Sequence, residues 1–168
     1  MQPYEYITMH RYEDHYWWYA GLRGLLDLMF KNYIQLVSEI SLLDAGCGTG
    51  GNLAHLAHIS NRVKLFAMEI YSPAIGLTNS RETKATLLQA SVNQVPFKKD
   101  TFDVITCFDV LYIHGVDDDQ AFREFYRTLK PDGILLVNLP AHELLRGELL
   151  NNLAYVGGRQ WFTLRNHG

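Results

Sequence analysis

A glycine cluster directly after a short apolar run is the feature that most constrains how this chain folds. Residues 40–45 read Ile-Ser-Leu-Leu-Asp-Ala and lead into Gly46, Gly48, Gly50 and Gly51. Glycine permits a sharp turn, and it lets a ligand approach the backbone where a Cβ would otherwise stand. A buried strand, a glycine turn and a following helix predict an α/β domain with a ligand crevice above the turn.

The rest of the chain alternates between strand patterns and helix patterns. Apolar runs predict further strands at residues 63–70, 85–90, 102–111 and 134–139. Apolar residues three and four apart predict helices from Leu22 to Leu36, over residues 52–59, from an N-cap at Ser72, and from Asp117 to a stop at residues 130–133. Because the strands are apolar on both faces, we expect a Rossmann-like fold with a mainly parallel sheet and helices on both faces.

The composition narrows the class of protein. The chain has 168 residues, 48% of them hydrophobic and 20% charged, which predicts one globular domain. Its formal net charge of −3 gives no general reason to bind nucleic acid or an anionic membrane. The sequence contains no run of about eighteen apolar residues, so we expect no membrane span, and residues 1–20 lack the pattern of a secretory signal. The two cysteines suggest no disulfide framework, so we expect a cytoplasmic protein.

The glycine spacing fits two classes of cofactor. Gly46-x-Gly48-x-Gly50 suits S-adenosylmethionine, whereas Gly46-x-Gly48-x-x-Gly51 suits a dinucleotide. Asp44, at the end of the first strand, would repel a pyrophosphate and attract an ammonium and a sulfonium. Glu69 ends the second strand, and a carboxylate there can accept ribose hydroxyls from either class. Asp44 therefore favours S-adenosylmethionine over a nicotinamide dinucleotide.

The chain resembles the class I S-adenosylmethionine-dependent methyltransferases. The resemblance runs from about Glu13 to Pro140 and rests on an ordered set of segments: residues 43–50, Glu69, residues 95–97, 102–105 and 129–135. An aromatic opening at residues 15–19 is similar to that of a subgroup acting on small molecules. The resemblance implies the strand order 3-2-1-4-5 and methyl transfer from S-adenosyl-L-methionine to a small-molecule acceptor, leaving S-adenosyl-L-homocysteine.

The resemblance also implies which residues bind the cofactor. Asp44 and the backbone of Gly46, Cys47, Gly48 and Gly50 would hold the methionine portion, and Glu69 the ribose. Three further residues would border the adenine: Ile70, Ser91 and Val92. Many relatives carry an aspartate where this chain has Ser91, so we expect weaker recognition of the adenine amino group. Asp109 would either approach the cofactor or serve the turn that follows the fourth strand.

The acceptor side is less defined, because methyl transfer needs alignment more than a fixed catalytic set. His114 is the candidate general base, since its reference pKa is near neutrality; the alternative is an ordinary loop position. Tyr112 either lines the pocket or packs at a strand end. Tyr12, His15 and Tyr16 are candidates for an aromatic lid over the acceptor, although such residues also commonly pack on a sheet. No spacing of histidines, cysteines and acids suggests a metal.

We expect three parts: an aromatic-rich helical segment or lid (residues 1–38), the cofactor-binding core (39–140) and an incomplete C-terminal part (141–168). Only 28 residues follow Pro140, which is short for a helix and the antiparallel hairpin usual in the family. An exposed fifth strand would then favour a homodimer. The alternative function is a domain that binds the cofactor without turnover, and an NAD-dependent oxidoreductase is the remaining alternative.

Overall fold

The strands form one parallel sheet in the expected order. The computed structural model describes residues 3–34 and 38–139. Its strands are β1 (Ile40–Ala45), β2 (Val63–Glu69), β3 (Thr86–Gln89), β4 (Phe102–Phe108) and β5 (Leu129–Asn138). They lie side by side as β3-β2-β1-β4-β5, and each neighbouring pair is parallel. The Rossmann-like α/β fold is confirmed.

Helices cover both faces of this sheet. They are α1 (Pro3–Tyr12), α2 (Trp17–Tyr33), α3 (Gly51–Ile59), α4 (Ser72–Asn79) and α5 (Asp118–Thr128). Side chains alternate across a strand, so neighbouring residues of β1 enter different cores. Leu42 packs with Leu26 of α2 and Leu53 of α3, whereas Leu43 packs in a second cluster with Phe125 of α5.

Several predicted boundaries shift, each for a local reason. β4 ends at Phe108 instead of continuing to Leu111, because Asp109 adopts a left-handed φ of 59° that ends the extended backbone. Ser72 is the first residue of α4, and Tyr71 occupies the N-cap position without a side-chain capping bond. Asp117 is the N-cap of α5, and its carboxylate accepts from the Gln120 N–H.

The segment expected to stop the last helix lies inside β5. The helix ends at Thr128, and Leu129 already pairs with Phe102 of β4. The next paired residue of β5 after that irregularity is Ile134, opposite Val104, so residues 130–133 bulge out of the ladder. The proline and glycine of this segment therefore shape a bulge within the strand.

The topology places the ligand crevice. β1 lies between β2 and β4, so the connections that follow β1 and β4 diverge at its carboxyl end. Open parallel sheets bind ligands at such a point, and the glycine cluster lies there.

The C-terminal expectations lie outside the described residues. They concern a helix over 142–153, a strand or loop over 155–164 and the incomplete hairpin. Among the described residues β5 is one edge of the sheet. The boundaries of the three expected parts stay a prediction.

Candidate functional site

The glycine loop, residues 46–51, turns from β1 into α3. The N–H groups of Gly46 and Cys47 both donate to the carbonyl oxygen of Met68, at 2.8 and 3.0 Å. Gly46 and Gly50 have a φ of 83°, a conformation that side chains with a Cβ disfavour. A Cβ on Gly46 would also run into the side chain of Val110. This turn therefore requires glycine for both backbone conformation and space.

Asp44 lies at the end of β1 beneath this loop and is 3% exposed. Its Oδ1 accepts a hydrogen bond of 2.8 Å from the Thr106 hydroxyl of β4. Burial raises the pKa of Asp44 from 3.8 to about 6, and the nearby acids Glu69 and Glu13 add to the rise. The carboxyl end of β1 therefore carries a buried carboxyl group that is costly to ionise without a cation.

Glu69 is the last residue of β2, and its carboxylate bonds to the glycine loop and to the turn before α4. Its Oε2 accepts from the Gly48 N–H and its Oε1 from the Tyr71 N–H, both at 3.0 Å. The side chain is buried, because the residue is 6% exposed. Glu69 therefore lies against the glycine loop, where the resemblance implies a ribose-binding acid.

The residues expected near the adenine follow β2 and β3. Ile70, which follows β2, is 63% exposed. Ser91 Oγ accepts from the Asn93 N–H at 3.2 Å. Val92 is 5% exposed and packs in the hydrophobic core.

Asp109 lies at the carboxyl end of β4 with both carboxylate oxygens engaged. Trp18 donates its indole N–H to Oδ2 at 3.2 Å, and the Asn138 side-chain amide donates to Oδ1 at 2.9 Å. Burial raises the pKa of Asp109. The carboxylate thus joins α2 to the end of β5.

The catalytic candidates lie in the turn after β4. Tyr112 is 46% exposed, and His114 is exposed in the same segment. The two cysteines are unreactive by environment, because burial raises the pKa of Cys47 and of Cys107. Within the described ranges there is no group of three or more histidines, cysteines and acids arranged for a metal ion.

The N-terminal segment contacts the glycine loop through residues other than the three candidates for the acceptor side. Tyr12 is 57% and Tyr16 52% exposed, and His15 is also exposed. Tyr16 contacts other aromatic rings of the segment, those of Trp17 and Tyr19. The residues of this segment that contact the loop region are instead Tyr6, Met9 and Glu13.

These three residues recur at helical spacing, so they share one face. The Tyr6 ring stacks on Tyr71 with centroids 4.6 Å apart, and burial together with Glu69 raises its pKa to about 12. A Cβ on Gly48 would lie 2.8 Å from the Met9 methyl carbon. Glu13 is 4% exposed and accepts from the Thr49 hydroxyl. The segment therefore packs against the glycine loop and the start of α4.

Sequence reasoning missed Glu13 and its partner Arg81. The Arg81 guanidinium donates to Glu13 Oε1 at 2.6 Å, although 68 residues separate the two in the chain. No local pattern marks either residue. The one available signal was an acid at helical spacing from Tyr6 and Met9 in an otherwise aromatic segment.

Comparison with known proteins gives a family. The model of the methyltransferase domain family matches residues 43–137, more than half of the chain. The chain is 32% identical over 107 residues to the mitochondrial arginine-hydroxylase NDUFAF5 of Danio rerio, covering 61% of this chain and 32% of that protein. It is 29% identical over 133 residues to a "probable S-adenosylmethionine-dependent methyltransferase" of Mycobacterium tuberculosis, covering 72% of this chain and 47% of that protein.

A solved structure supports the fold. The PH0226 protein of Pyrococcus horikoshii superposes with a TM-score of 0.68 at 20% identity, covering 95% of this chain and 76% of that one.

The chain spans half or less of the length of the zebrafish and mycobacterial relatives. Because the family model spans β1 to β5 and the glycine loop, the chain belongs to the methyltransferase domain family.

Proposed function

We propose that this chain is an S-adenosyl-L-methionine-dependent methyltransferase that acts on a small-molecule acceptor. The observation that carries the proposal is the set of buried acids at the glycine loop: Asp44, Glu69 and Glu13. The cation beside them, Arg81, is already bound to Glu13. A crevice with this excess of negative charge suits a ligand with an ammonium and a sulfonium, and it disfavours a pyrophosphate.

The residues present fit this cofactor. Asp44 and the glycine loop backbone would hold the methionine portion, and Glu69 the ribose hydroxyls. The adenine would lie by Ile70, Ser91 and Val92. When bound, the cofactor would supply a methyl group on a positively charged sulfur, and that sulfur would leave readily as the neutral thioether of S-adenosyl-L-homocysteine. The chain's own task is to bind the acceptor in line and to exclude water.

The acceptor side of the proposal rests on position. Tyr112 and His114 follow β4, beside the carboxyl ends of the strands, where ligands of parallel sheets bind. His114 would take a proton from the acceptor, and Tyr112 would line the pocket. Tyr12, His15 and Tyr16 would border the acceptor from the exposed side of the N-terminal segment. Asp109 would act through Trp18, whose indole it holds.

Calorimetry tests the cofactor assignment. We expect S-adenosyl-L-homocysteine to bind and NAD⁺ not to bind. Asp44→Asn should weaken binding of S-adenosyl-L-homocysteine at least about tenfold, since a charge-assisted contact to its ammonium is lost. Ser91→Asp should strengthen binding, because it supplies a charged acceptor for the adenine amino group. Tight NAD⁺ binding without S-adenosyl-L-homocysteine binding would reject the proposal.

Turnover needs its own assay, because a relative with a hydroxylase name shares this domain. We expect transfer of a radiolabelled methyl group from S-adenosyl-L-methionine to a compound in a small-molecule extract. The second candidate function is cofactor binding without turnover. Binding without labelled product in any extract would favour that second function.

The proposal extends to compartment and partners. Cys47 and Cys107 are both free, which supports the cytoplasm as the compartment. No described helix combines the length and the apolar character that crossing a membrane requires. We propose a small-molecule acceptor as the partner, with neither nucleic acid nor a membrane surface, and a homodimer formed through β5. A gel-shift assay with RNA and DNA tests the first exclusion, and vesicle sedimentation tests the second.

A further inference from the structure

The turn between α1 and α2 is clamped by two arginines. We name residues 13–16 the elbow. Arg23 of α2 donates from its two terminal nitrogens to the carbonyl oxygens of Glu13 and Asp14, at 3.0 and 2.9 Å. These bonds fix the elbow backbone to α2 and leave the two acidic side chains free to reach another part of the molecule.

Arg81, just after α4, binds the side chains of Glu13 and Asp14. Its Nη2 donates to Glu13 Oε1 at 2.6 Å and its Nη1 to Asp14 Oδ1 at 3.0 Å. Its Nε donates to the carbonyl oxygen of Thr49 in the glycine loop at 2.8 Å. The Arg81 side chain is only 11% exposed. One guanidinium therefore joins the elbow to the backbone of the glycine loop.

Further hydrogen bonds near Arg81 also hold the glycine loop. The Thr78 hydroxyl of α4 donates to the carbonyl oxygen of Gly48 at 2.9 Å, and the Thr49 hydroxyl donates to Glu13. Two successive loop carbonyls are thus held by side chains from the region of α4. Since the Gly48 and Thr49 carbonyls are fixed, the peptide planes of the loop are fixed with them.

We propose that Arg81 is a positioning residue that couples docking of the elbow and α1 to the cofactor-binding shape of the glycine loop. The inference rests on the proposed function in so far as the loop holds S-adenosyl-L-methionine. A planar guanidinium with several donors can serve three acceptors at once, which a lysine ammonium on a flexible stem does less well. Coupling is reciprocal, so the cofactor stabilises the docked α1 by the same factor by which docking strengthens cofactor binding.

A purely structural ion pair makes a different prediction. Removal of a partner from a buried pair lowers stability, because a charge stays buried without compensation. Such a loss alone would leave the affinity of the folded molecules for the cofactor unchanged. Ligand affinity and the protection of α1 on binding therefore separate the two roles.

The experiment uses Arg81→Gln, Arg81→Lys and the control Arg123→Gln, at an exposed position of α5. Calorimetry with S-adenosyl-L-homocysteine gives the dissociation constants, and hydrogen exchange with mass spectrometry follows residues 3–16 with and without this ligand. We expect binding to be at least tenfold weaker in R81Q, weakened by a smaller factor in R81K, and within twofold of the parent in R123Q. We expect the ligand to slow exchange of α1 in the parent and not in R81Q.

Each outcome decides a separate point. If the parent binds the ligand and R81Q binds it with an affinity within twofold of the parent's, the coupling is rejected and the proposed function stands. If R81Q does not fold, the same criterion is applied to R81K. If exchange of α1 in the parent does not respond to the ligand, the coupling is also rejected. If the parent binds no S-adenosyl-L-homocysteine, the proposed function fails and the coupling fails with it.

Discussion

At the scale of single residues, the site keeps a carboxyl group in surroundings that oppose its charge. Asp44 is buried, and its charged neighbours include the acids Glu69 and Glu13. A group that served stability alone would gain nothing from this arrangement, since burial of an uncompensated charge costs free energy. The arrangement is useful where a cationic ligand supplies the missing charge.

The pH dependence of stability follows from the Asp44 pKa. In the folded protein the pKa is about 6, whereas the ordinary value is 3.8, so between about pH 4 and 6 the folded state holds more protons than the unfolded state. The contribution of Asp44 to stability therefore falls as the pH rises through this window, by up to about 2 to 3 kcal/mol, and is level above it.

Asp44→Asn removes this titration. Relative to the parent, the variant should gain stability as the pH rises from 4 to 7, by up to about 2 kcal/mol. Urea unfolding at several pH values measures the difference. A difference that is the same at pH 4 and pH 7 would show that Asp44 is not a buried titrating group.

Gly46 and Gly24 form a matched pair at the same scale. Gly46→Ala should destabilise the fold by about 2 kcal/mol or more, because the φ of 83° and the Val110 side chain both oppose a Cβ. A Cβ added at Gly24 of α2 would meet no atom within 4 Å. Gly24→Ala should therefore stabilise the protein by roughly 0.5 to 1 kcal/mol, because alanine favours the helix more than glycine does. Thermal unfolding of both variants checks the opposite signs, and equal shifts would contradict the role given to the loop conformation.

At the scale of elements, α5 holds the segment expected at the adenine. Arg127 donates to the carbonyl oxygens of Phe97 and Val95, at 2.7 and 2.8 Å. Glu124 accepts from the Val95 N–H at 2.8 Å and pairs with Arg127, whose hydrogen bond lowers the pKa of Glu124. The helix thereby fixes the backbone that leads from β3 to β4.

Arg127→Met should expose this dependence. The carbonyl oxygens of Phe97 and Val95 and the Glu124 carboxylate each lose one donor, so we expect destabilisation of about 1 to 3 kcal/mol. Hydrogen exchange should quicken over residues 91–97, and binding of S-adenosyl-L-homocysteine should weaken. Arg123→Gln, on the same helix, is the control. Unchanged exchange in residues 91–97 would mean that α5 does not hold this segment.

The two connections that follow β1 and β4 also support one another. Val110 lies against Gly46, while Asp109 holds Trp18 of α2. Asn93, in the connection between β3 and β4, bonds to Gly115 and Asp117 in the turn before α5. Side chains of one connection therefore bond to neighbouring elements, and these bonds give the loops at the carboxyl ends of the strands a defined shape.

At the scale of the whole molecule, the two edges of the described sheet differ. β3 has four residues, whereas β5 has ten, with a bulge near its start. A long edge strand offers unpaired backbone groups to another strand. We therefore expect the chain to self-associate through β5.

Sedimentation velocity from about 1 to 100 μM tests this expectation. A dimer that forms with rising concentration, and protects β5 amides from exchange as it forms, would support pairing through this edge. A monomer throughout, or a dimer that leaves β5 exchange unchanged, would contradict it.

The sequence by itself determined the fold and the kind of loop at its centre. Apolar runs of strand length, helical spacing and the glycine cluster are local signals, and they predict the elements and the parallel sheet. Asp44 and Glu69 were found because the ends of parallel strands meet at one edge, so position along a strand already implies position in the site.

Tertiary structure alone decided which residues meet across the molecule. Glu13 and Arg81, 68 residues apart, join only because α1 packs against α4 beside the glycine loop. The face of the N-terminal segment that covers the loop carries Tyr6 and Met9, while the exposed face carries Tyr12 and Tyr16. Aromatic residues on both faces make the local pattern ambiguous, and only the packing of α1 against α4 and the glycine loop selects one face.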